Sequence, residues 1–393
     1  VAATSFLITV SGADRVGVGA QLFEAIRGIG DEHCTIDDVA QITIFGYLVL
    51  CVEVTVDDTE SAGSLRQRAL ESGVAGEGIE VHVTVVEPSE FVNGKRLLVT
   101  FLAPQITGAA LVEIFGAIAQ CSSTCERIVH LASYPVDCYE LVVRGPNHTT
   151  LREALTTAAA RVGVDLAVQR AGLHRRSKHL VVMDADSTLF QDEVIDLLAE
   201  ACGCAEEIAT ITAAAMSGEI DFAESLRRRV SLLRGLDATV IDDVRAKLRL
   251  TPGARTLLRT LKRLGYVPAV VSGGFAEVLA PLMDELGVEL WAANSLEVVD
   301  GKLSGYLASA VLDRAGKARA LERFAGEIGV PLQQTVAVGD GANDIDMLSI
   351  AGLGIAFNAK PVVRAHADAA LSVPYLDAVL YFLGISREEI EAE

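Results

Sequence analysis

The sequence predicts an α/β protein in three parts. Two β-α-β-β-α-β units stand in tandem, and a parallel sheet with an inserted helical segment follows. Three observations predict this. The order of apolar segments in the first part starts again after Asn93-Gly94, an internal repeat offset by roughly 90 residues. From His179 onward, apolar runs of strand length alternate with helical periodicity, the pattern of a parallel α/β sheet. The stretch Phe190–Leu250 reads as almost wholly helical and interrupts that alternation.

In the first unit the apolar run Ser5–Val10 leads into Ser11-Gly12-Ala13-Asp14-Arg15-Val16-Gly17. Leu22, Phe23 and Ile26 then recur at helical spacing. Alternating segments over Ile42–Leu50 and Val52–Val56 predict strands, Ser61–Ser72 a helix and Ile79–Val86 a closing strand. This is the ferredoxin-like order. The second unit repeats it with a strand over Arg96–Ala103, a helix over Gly108–Gln120, and paired strands over Ile128–Ser133 and Asp137–Arg144 about a Tyr134-Pro135 turn. A helix over Thr149–Val162 and a strand over Val164–Arg170 complete it. Ala171–Lys178 reads as a linker whose basic residues His174, Arg175, Arg176 and Lys178 are expected to be solvated.

Beyond the linker, strands are expected at Leu180–Met183, Val267–Val271, Thr335–Val338, Gly354–Phe357 and Ala369–Val373, a Rossmann-like parallel sheet. Val298–Leu303 is expected to be a hairpin turning on Asp300-Gly301. The expected boundaries are 1–92 and 93–172 for the repeated units and 179–393 for the last domain, with a helical cap at about 190–250.

Composition narrows the function. Of 393 residues, 51% are apolar and only 5% aromatic, so the cores must be aliphatic, and the chain is not disordered. Fifty-three acidic residues against 33 basic ones give a net charge of −20. Such a field repels nucleic acid and anionic lipid, and an anionic substrate would need local positive charge or a cation. The longest near-apolar run, Gly108–Cys121, is broken by Glu113, and no stretch approaches the roughly 18 residues that span a bilayer. No secretory signal pattern is visible, so a cytoplasmic protein is expected. Because Val1 is not methionine, further residues before it are an expectation. The seven cysteines form no Cys-x-x-Cys, and Cys121, Cys125, Cys202 and Cys204 sit in apolar, helix-like surroundings. They are expected to be buried free thiols. Seven dispersed histidines argue against a zinc site.

Three predicted strands end in polar constellations: Asp184-Ala185-Asp186-Ser187-Thr188, Ser272-Gly273-Gly274, and Gly339-Asp340-Gly341-Ala342-Asn343-Asp344. Lys317 lies on the helix between the last two. Four carboxylates converging at strand ends cannot all ionise without a cation. A hard divalent ion with oxygen ligands resolves this, and Mg²⁺ suits a site with few protein ligands and a bound phosphate. Ser272 and the N–H groups of Gly273 and Gly274 can cradle phosphoryl oxygens. One aspartate can then attack phosphorus, and a second can serve as acid for the leaving group and base for water. Each element alone has a plainer explanation as an N-cap, a turn or a surface lysine. All four in this order, three at strand ends, point to phosphoryl transfer.

These four motifs resemble those of the haloacid dehalogenase superfamily, over about His179 to Leu383. The resemblance implies Asp184 as nucleophile, Asp186 as general acid/base, and Ser272 and Lys317 as phosphate ligands. It implies Mg²⁺ held by Asp184, the Asp186 backbone carbonyl and Asp340, with Asp344 supporting. In the cap, Glu193 can meet an ammonium and Arg229 can grip a carboxylate bidentately. On spacing alone both also fit an exposed helix pair. The wording around them, from Asp186 to Glu193 and from Met216 through Phe222 to Arg229, resembles the phosphoserine phosphatases. That resemblance implies Glu193, Met216, Phe222 and Arg229 as contacts to the substrate's backbone groups, with Asn343 helping at the phosphate end. The activity it implies is hydrolysis of O-phospho-L-serine, the last step of L-serine biosynthesis.

The N-terminal repeats resemble a pair of ACT domains, which sense small ligands, usually amino acids. Asp14 and Gly17 precede the first helix. Gly108 stands at the equivalent place in the second unit, where Pro104-Gln105-Ile106-Thr107 lacks the aspartate. Asp14, Gly17 and Gly108 are the candidate effector contacts, and a homodimer through these units is expected. A phosphoprotein phosphatase and a non-enzymatic amino-acid sensor are the rival readings.

Overall fold

The computed structural model describes residues 3–29, 33–57, 59–72, 74, 78–86, 95–172, 175, 177–216 and 219–392. They fall into two compact units, Val1–Phe91 and Val92–Glu393.

The first unit contains β1 (Thr4–Ala13), α1 (Val18–Arg27), β2 (Cys34–Ile44), β3 (Tyr47–Val56), α2 (Thr59–Glu71) and β4 (Ile79–Val86). Its antiparallel sheet has the order β2-β3-β1-β4. Strict alternation along β3 buries Leu48, Leu50, Val52 and Val54 in one core with Leu22, Ile26 and Leu65 from the helices. The expected single segment Ile42–Leu50 is instead the end of β2, a turn and the start of β3. Phe45 and Gly46 both take positive φ, 50° and 76°, as a two-residue hairpin turn requires. The alternation runs through that turn because Phe45 is apolar, so periodicity alone hides it. β2 also starts well before the expected Ile42, since a register shift between Ile36 and Asp38 disrupts its pattern.

The second unit begins with β5 (Lys95–Ala103), α3 (Gly108–Gln120), β6 (Thr124–Ala132), β7 (Asp137–Gly145), α4 (His148–Val162) and β8 (Asp165–Arg170). Thr107 and Asn147 cap the two helices, their side-chain oxygens accepting from backbone N–H groups one turn on. After β9 (Leu180–Asp184) comes the cap: α5 (Val194–Cys202), α6 (Ala205–Met216), α7 (Phe222–Leu232) and α8 (Val240–Lys247). There follow α9 (Ala254–Arg263), β10 (Val267–Phe275), α10 (Ala276–Leu286), β11 (Leu290–Asn294), and the hairpin of β12 (Leu296–Val299) and β13 (Lys302–Leu307). The chain ends with α11 (Arg314–Glu327), β14 (Thr335–Gly339), α12 (Ile345–Ile350), β15 (Gly354–Phe357), α13 (Pro361–Arg364), β16 (Ala369–Leu371), α14 (Val379–Phe382) and α15 (Arg387–Glu391).

One feature of this unit was not expected. The parallel strands, ordered β11-β10-β9-β14-β15-β16, continue without a break into the antiparallel strands β8-β5-β7-β6, forming one ten-stranded sheet. The join is the antiparallel pair Ala369↔Ala167. Polar contacts reinforce it. Arg152 Nη2 donates to the Asp368 carboxylate at 3.0 Å, Ser372 N–H donates to Asp165 Oδ2 at 2.5 Å, and Gln169 Nε2 donates to the Phe382 carbonyl at 2.7 Å.

The linker cluster departs from the solvated reading. Arg175 is nearly buried in an ion pair with the buried Glu140. Lys178 is buried too, its Nζ donating to the carbonyls of Gln333 at 2.5 Å and Thr335 at 3.4 Å. Their partners lie far away in sequence, so local composition gives no sign of them. His174 and Arg176 lie outside the described residues. The reading of the cysteines as buried thiols also fails in part. Cys202 and Cys204 form a disulfide across Gly203, whose left-handed backbone (φ 74°) turns the chain between α5 and α6. Of the other described cysteines only Cys138 is buried.

Candidate active site

β9 lies between β10 and β14, so the three polar constellations meet at the carboxyl edge of adjacent parallel strands. Asp184 ends β9 and is buried. Its Oδ1 accepts from the Ala185 N–H at 2.8 Å and from Lys317 Nζ at 2.6 Å. The next residues make a tight reversal, with Ser187 at a φ of 57°, which brings Asp186 and Thr188 back beside the strand ends. Asp186 Oδ2 accepts from Ser272 Oγ at 2.9 Å, and Oδ1 accepts from the Val194 N–H at 2.8 Å. Val194 is the first residue of α5, so the cap is anchored directly on Asp186.

Lys317 is wholly buried and also donates to Asp344 Oδ1 at 2.7 Å. Asp184, Asp340 and Asp344 offer carboxylate oxygens all within 4.8 Å of one another. Gly339 makes this possible, because a Cβ there would lie 2.5 Å from the Asp344 Cγ. Thr188 Oγ1 donates to Asp340 Oδ1 at 3.1 Å, and Thr251 Oγ1 donates to the Thr188 carbonyl at 2.7 Å. Asp344, expected in support, stands within this carboxylate cluster, and the Asp186 carboxylate, whose residue was expected to contribute only its backbone carbonyl, is engaged by Ser272 and Val194.

The electrostatics follow from crowding. Burial, then the neighbouring Asp344, pushes the Asp184 carboxyl well above the usual range, and Lys317 offsets only part of this. Asp340 is pushed up to about 7 by burial and by Asp344. Burial alone would lower the Lys317 ammonium, but Asp184 and Asp344 more than reverse this and hold it above its ordinary value. One lysine among three clustered carboxylates leaves negative charge uncompensated. An all-oxygen donor set of this charge fits a hard divalent cation.

The cap residues converge on the same place. A Cβ on Gly273 would lie 3.4 Å from the Phe222 ring and 4.0 Å from Asn343 Nδ2, so α7 and the 342–344 turn both reach Gly273. Arg229 is buried on the last turn of α7 and donates from Nε to the Ser225 carbonyl at 3.4 Å. Burial draws its guanidinium down, while Glu193, Asp196 and Asp186 pull it back up. Glu193 remains accessible just before α5. Partial desolvation in the cleft, then the nearby Asp196 and Asp186, raises its carboxyl, while Arg229 and Lys360 pull it down. No ion pair joins Glu193 to Arg229 among the described residues, which leaves both charges available to a ligand. The Met216 side chain lies outside the described residues.

Of the candidate effector residues, Asp14 and Gly17 belong to the first unit and Gly108 to the second. Asp14 and Gly17 lie at the amino end of α1, with Thr43 Oγ1 donating to Asp14 Oδ2 at 3.4 Å. Gly108 opens α3 in the other unit, behind the Thr107 cap. Thr188 was named in the first polar constellation without a role, and Thr251 and Asn294 were not singled out from sequence. The signal for Asn294 was available, as a polar residue ending an apolar strand of the same sheet.

Comparison with known proteins agrees with this geometry. Residues 181–349 match the haloacid dehalogenase-like hydrolases, and residues 4–84 and 97–169 each match ACT domains. A phosphoserine phosphatase of Streptomyces coelicolor is 50% identical over 99% of this chain and 94% of its own. One of Mycobacterium tuberculosis is 47% identical over 100% of this chain and 96% of its own. A solved structure described as a phospho-aspartyl intermediate analogue of phosphoserine phosphatase is 43% identical, with a TM-score of 0.50, over 52% of this chain and 98% of that one. The chain belongs to the phosphoserine phosphatases, haloacid dehalogenase-like hydrolases, and carries two ACT domains ahead of the hydrolase domain.

Proposed function

We propose that this chain hydrolyses free O-phospho-L-serine to L-serine and phosphate through an aspartyl-phosphate on Asp184, with Mg²⁺. The observation that carries the proposal is the buried Asp184–Lys317 pair beside Asp340 and Asp344, facing the Ser272–Asp186 hydrogen bond. Oδ1 of Asp184 is occupied, and Oδ2 has no partner among the described residues, so Oδ2 is the attacking oxygen. As the Asp184–phosphorus bond forms, the bond from phosphorus to the serine oxygen breaks, and Asp186 gives that oxygen its proton. Asp186 then takes a proton from the water that attacks the aspartyl-phosphate, releasing phosphate and restoring Asp184. Ser272, the Gly273 N–H group, Asn343 and Lys317 hold the phosphoryl oxygens, while the Gly274 N–H stays on Ser272 Oγ. Asp184, Asp340, Asp344 and the Asp186 carbonyl would hold Mg²⁺, which supplies charge neutralisation for the phosphoryl group.

Glu193 binds the substrate ammonium and Arg229 its carboxylate, while Phe222 and Met216 close over it and exclude water. The reaction would form the last step of L-serine biosynthesis, in the cytoplasm. We assign 1–92 and 93–172 to the ACT domains and 179–393 to the phosphatase domain, with its cap at about 190–250. The ACT domains would pair in a homodimer and bind serine or another amino acid, biasing the rate through Asp14, Gly17 and Gly108. Support for regulation is the pair of ACT matches. No helix among the described residues is long and apolar enough to cross a membrane. Phosphate release from O-phospho-L-serine tests the reading. Release should stop with a chelator and return with Mg²⁺, and release unaffected by either would overturn the metal assignment. Titrating serine tests the ACT assignment, and an unchanged rate at millimolar serine would remove it.

A further inference from the structure

Asn294 ends β11 and is almost fully buried, yet neither of its polar atoms is idle. Its Nδ2 donates to the Gly273 carbonyl at 2.8 Å, and its Oδ1 accepts the Leu312 N–H at 2.7 Å. The first partner lies in the segment assigned to phosphate and the second just before the helix that carries Lys317. The Gly273 carbonyl is one end of the peptide plane between Gly273 and Gly274. At the other end, the Gly274 N–H donates to Ser272 Oγ at 2.8 Å, and that hydroxyl donates to Asp186 Oδ2 at 2.9 Å. An unbroken chain of hydrogen bonds therefore runs from the Asn294 amide through one peptide group and Ser272 to Asp186, and such chains strengthen cooperatively. Leu312 immediately precedes Asp313, whose carboxylate caps α11 by accepting from the Gly316 N–H at 2.7 Å, and α11 carries Lys317.

Rotation of the Gly273–Gly274 plane is otherwise cheap, because glycine flanks it on both sides. A Cβ on Gly274 would sit 3.0 Å from both Asp186 Oδ2 and Ser272 Oγ, so the loop has no side chain of its own with which to set the plane. We infer that Asn294 is a positioning residue for the phosphatase reaction. It fixes the 273–274 peptide plane, and with it the Ser272 hydroxyl and Asp186, while tying this loop to the start of the helix that carries Lys317. The inference rests on the proposed roles of Ser272, Asp186 and Lys317.

The donor end of the amide can be tested with the acceptor end kept. Asn294→Asp keeps an acceptor for Leu312 but turns the donor to Gly273 into an acceptor, which faces the Gly273 carbonyl with like polarity. Its kcat on O-phospho-L-serine should fall about 10–100-fold, the scale of a small misplacement of reacting groups. KM should change little, because Glu193 and Arg229 are untouched. Asn294→Ser, whose short hydroxyl cannot span both partners, should show the same split and serves if the aspartate variant does not fold. Thermal melts of both confirm that the rates come from folded protein. A merely structural asparagine would lower Tm and leave kcat of the folded protein at the wild-type value, and that result overturns the inference. Ser272→Ala, measured alongside, separates the two levels. If it loses activity while both Asn294 variants keep theirs, only the inference fails. If it too retains wild-type kcat, the proposed phosphate loop itself is wrong.

Discussion

Raising the pH of the metal-free protein from about 5 to about 8 should destabilise it, because the active-site carboxylates hold protons that they would lose in the unfolded chain. Asp340 is pushed from 3.8 to about 7 by burial and by Asp344. The folded state therefore binds this proton more tightly than the unfolded one. Its contribution is full below about pH 4 and lost as the pH rises through about 7. From pH 5 to pH 8 about two of these pKa units are lost, the span between pH 5 and the folded value, which corresponds to about 2.7 kcal/mol at 1.36 kcal/mol each. At about 2–4 °C per kcal/mol, appropriate to a domain of this size, Tm should fall by about 5–11 °C across the range. Asp184 is raised in the same sense and adds to the trend. So do the buried Asp165 and Asp377, both raised chiefly by burial. Asp340→Asn isolates the part due to Asp340, since its amide oxygen still accepts from Thr188. Thermal melts with chelator, with Mg²⁺ and in the variant provide the assay. Mg²⁺ should raise Tm more at pH 8 than at pH 5, because ion and proton compete for the same carboxylates. A metal-free Tm flat over this window, or an Asp340→Asn protein with the wild-type slope, would refute the reasoning.

Two further outcomes follow from the same contacts. Asp184→Asn keeps an Oδ1 acceptor for Lys317 and the Ala185 N–H, so circular dichroism and Tm should stay near wild type while turnover falls at least about a thousandfold. Glu193→Gln and Arg229→Lys should raise KM for O-phospho-L-serine by about tenfold or more, with a smaller effect on kcat, since each removes a charge or a bidentate grip on groups remote from phosphorus.

How far the fold could be read from the sequence differs between its parts. The catalytic strands were plain because Leu180–Met183, Val267–Val271 and Thr335–Val338 are apolar runs ending abruptly in Asp or Ser-Gly, and burial on both faces of a parallel sheet demands such runs. Those same endings marked Asp184, Ser272 and Asp340, which the structure brings together. The continuous sheet could not be read, because its join is a pair of alanines with no polarity pattern. The burial of Arg175 and Lys178 was equally hidden, as Glu140, Gln333 and Thr335 reach them only through the fold. Asn294 ends an apolar run as the other site residues do, but its partners were hidden in the same way as those of Arg175 and Lys178. Its two partners, Gly273 and Leu312, lie on either side of it in sequence and meet it only across the sheet edge.

The central claim is that the cap reads a free amino acid and the sheet edge hydrolyses its phosphate. Comparing phosphate release from O-phospho-L-serine with release from a peptide containing the same phosphoserine tests it most directly, because the peptide lacks the ammonium that Glu193 would meet and the carboxylate that Arg229 would grip. The account predicts fast Mg²⁺-dependent release from the free amino acid and little from the peptide. Equal or faster release from the peptide would contradict it.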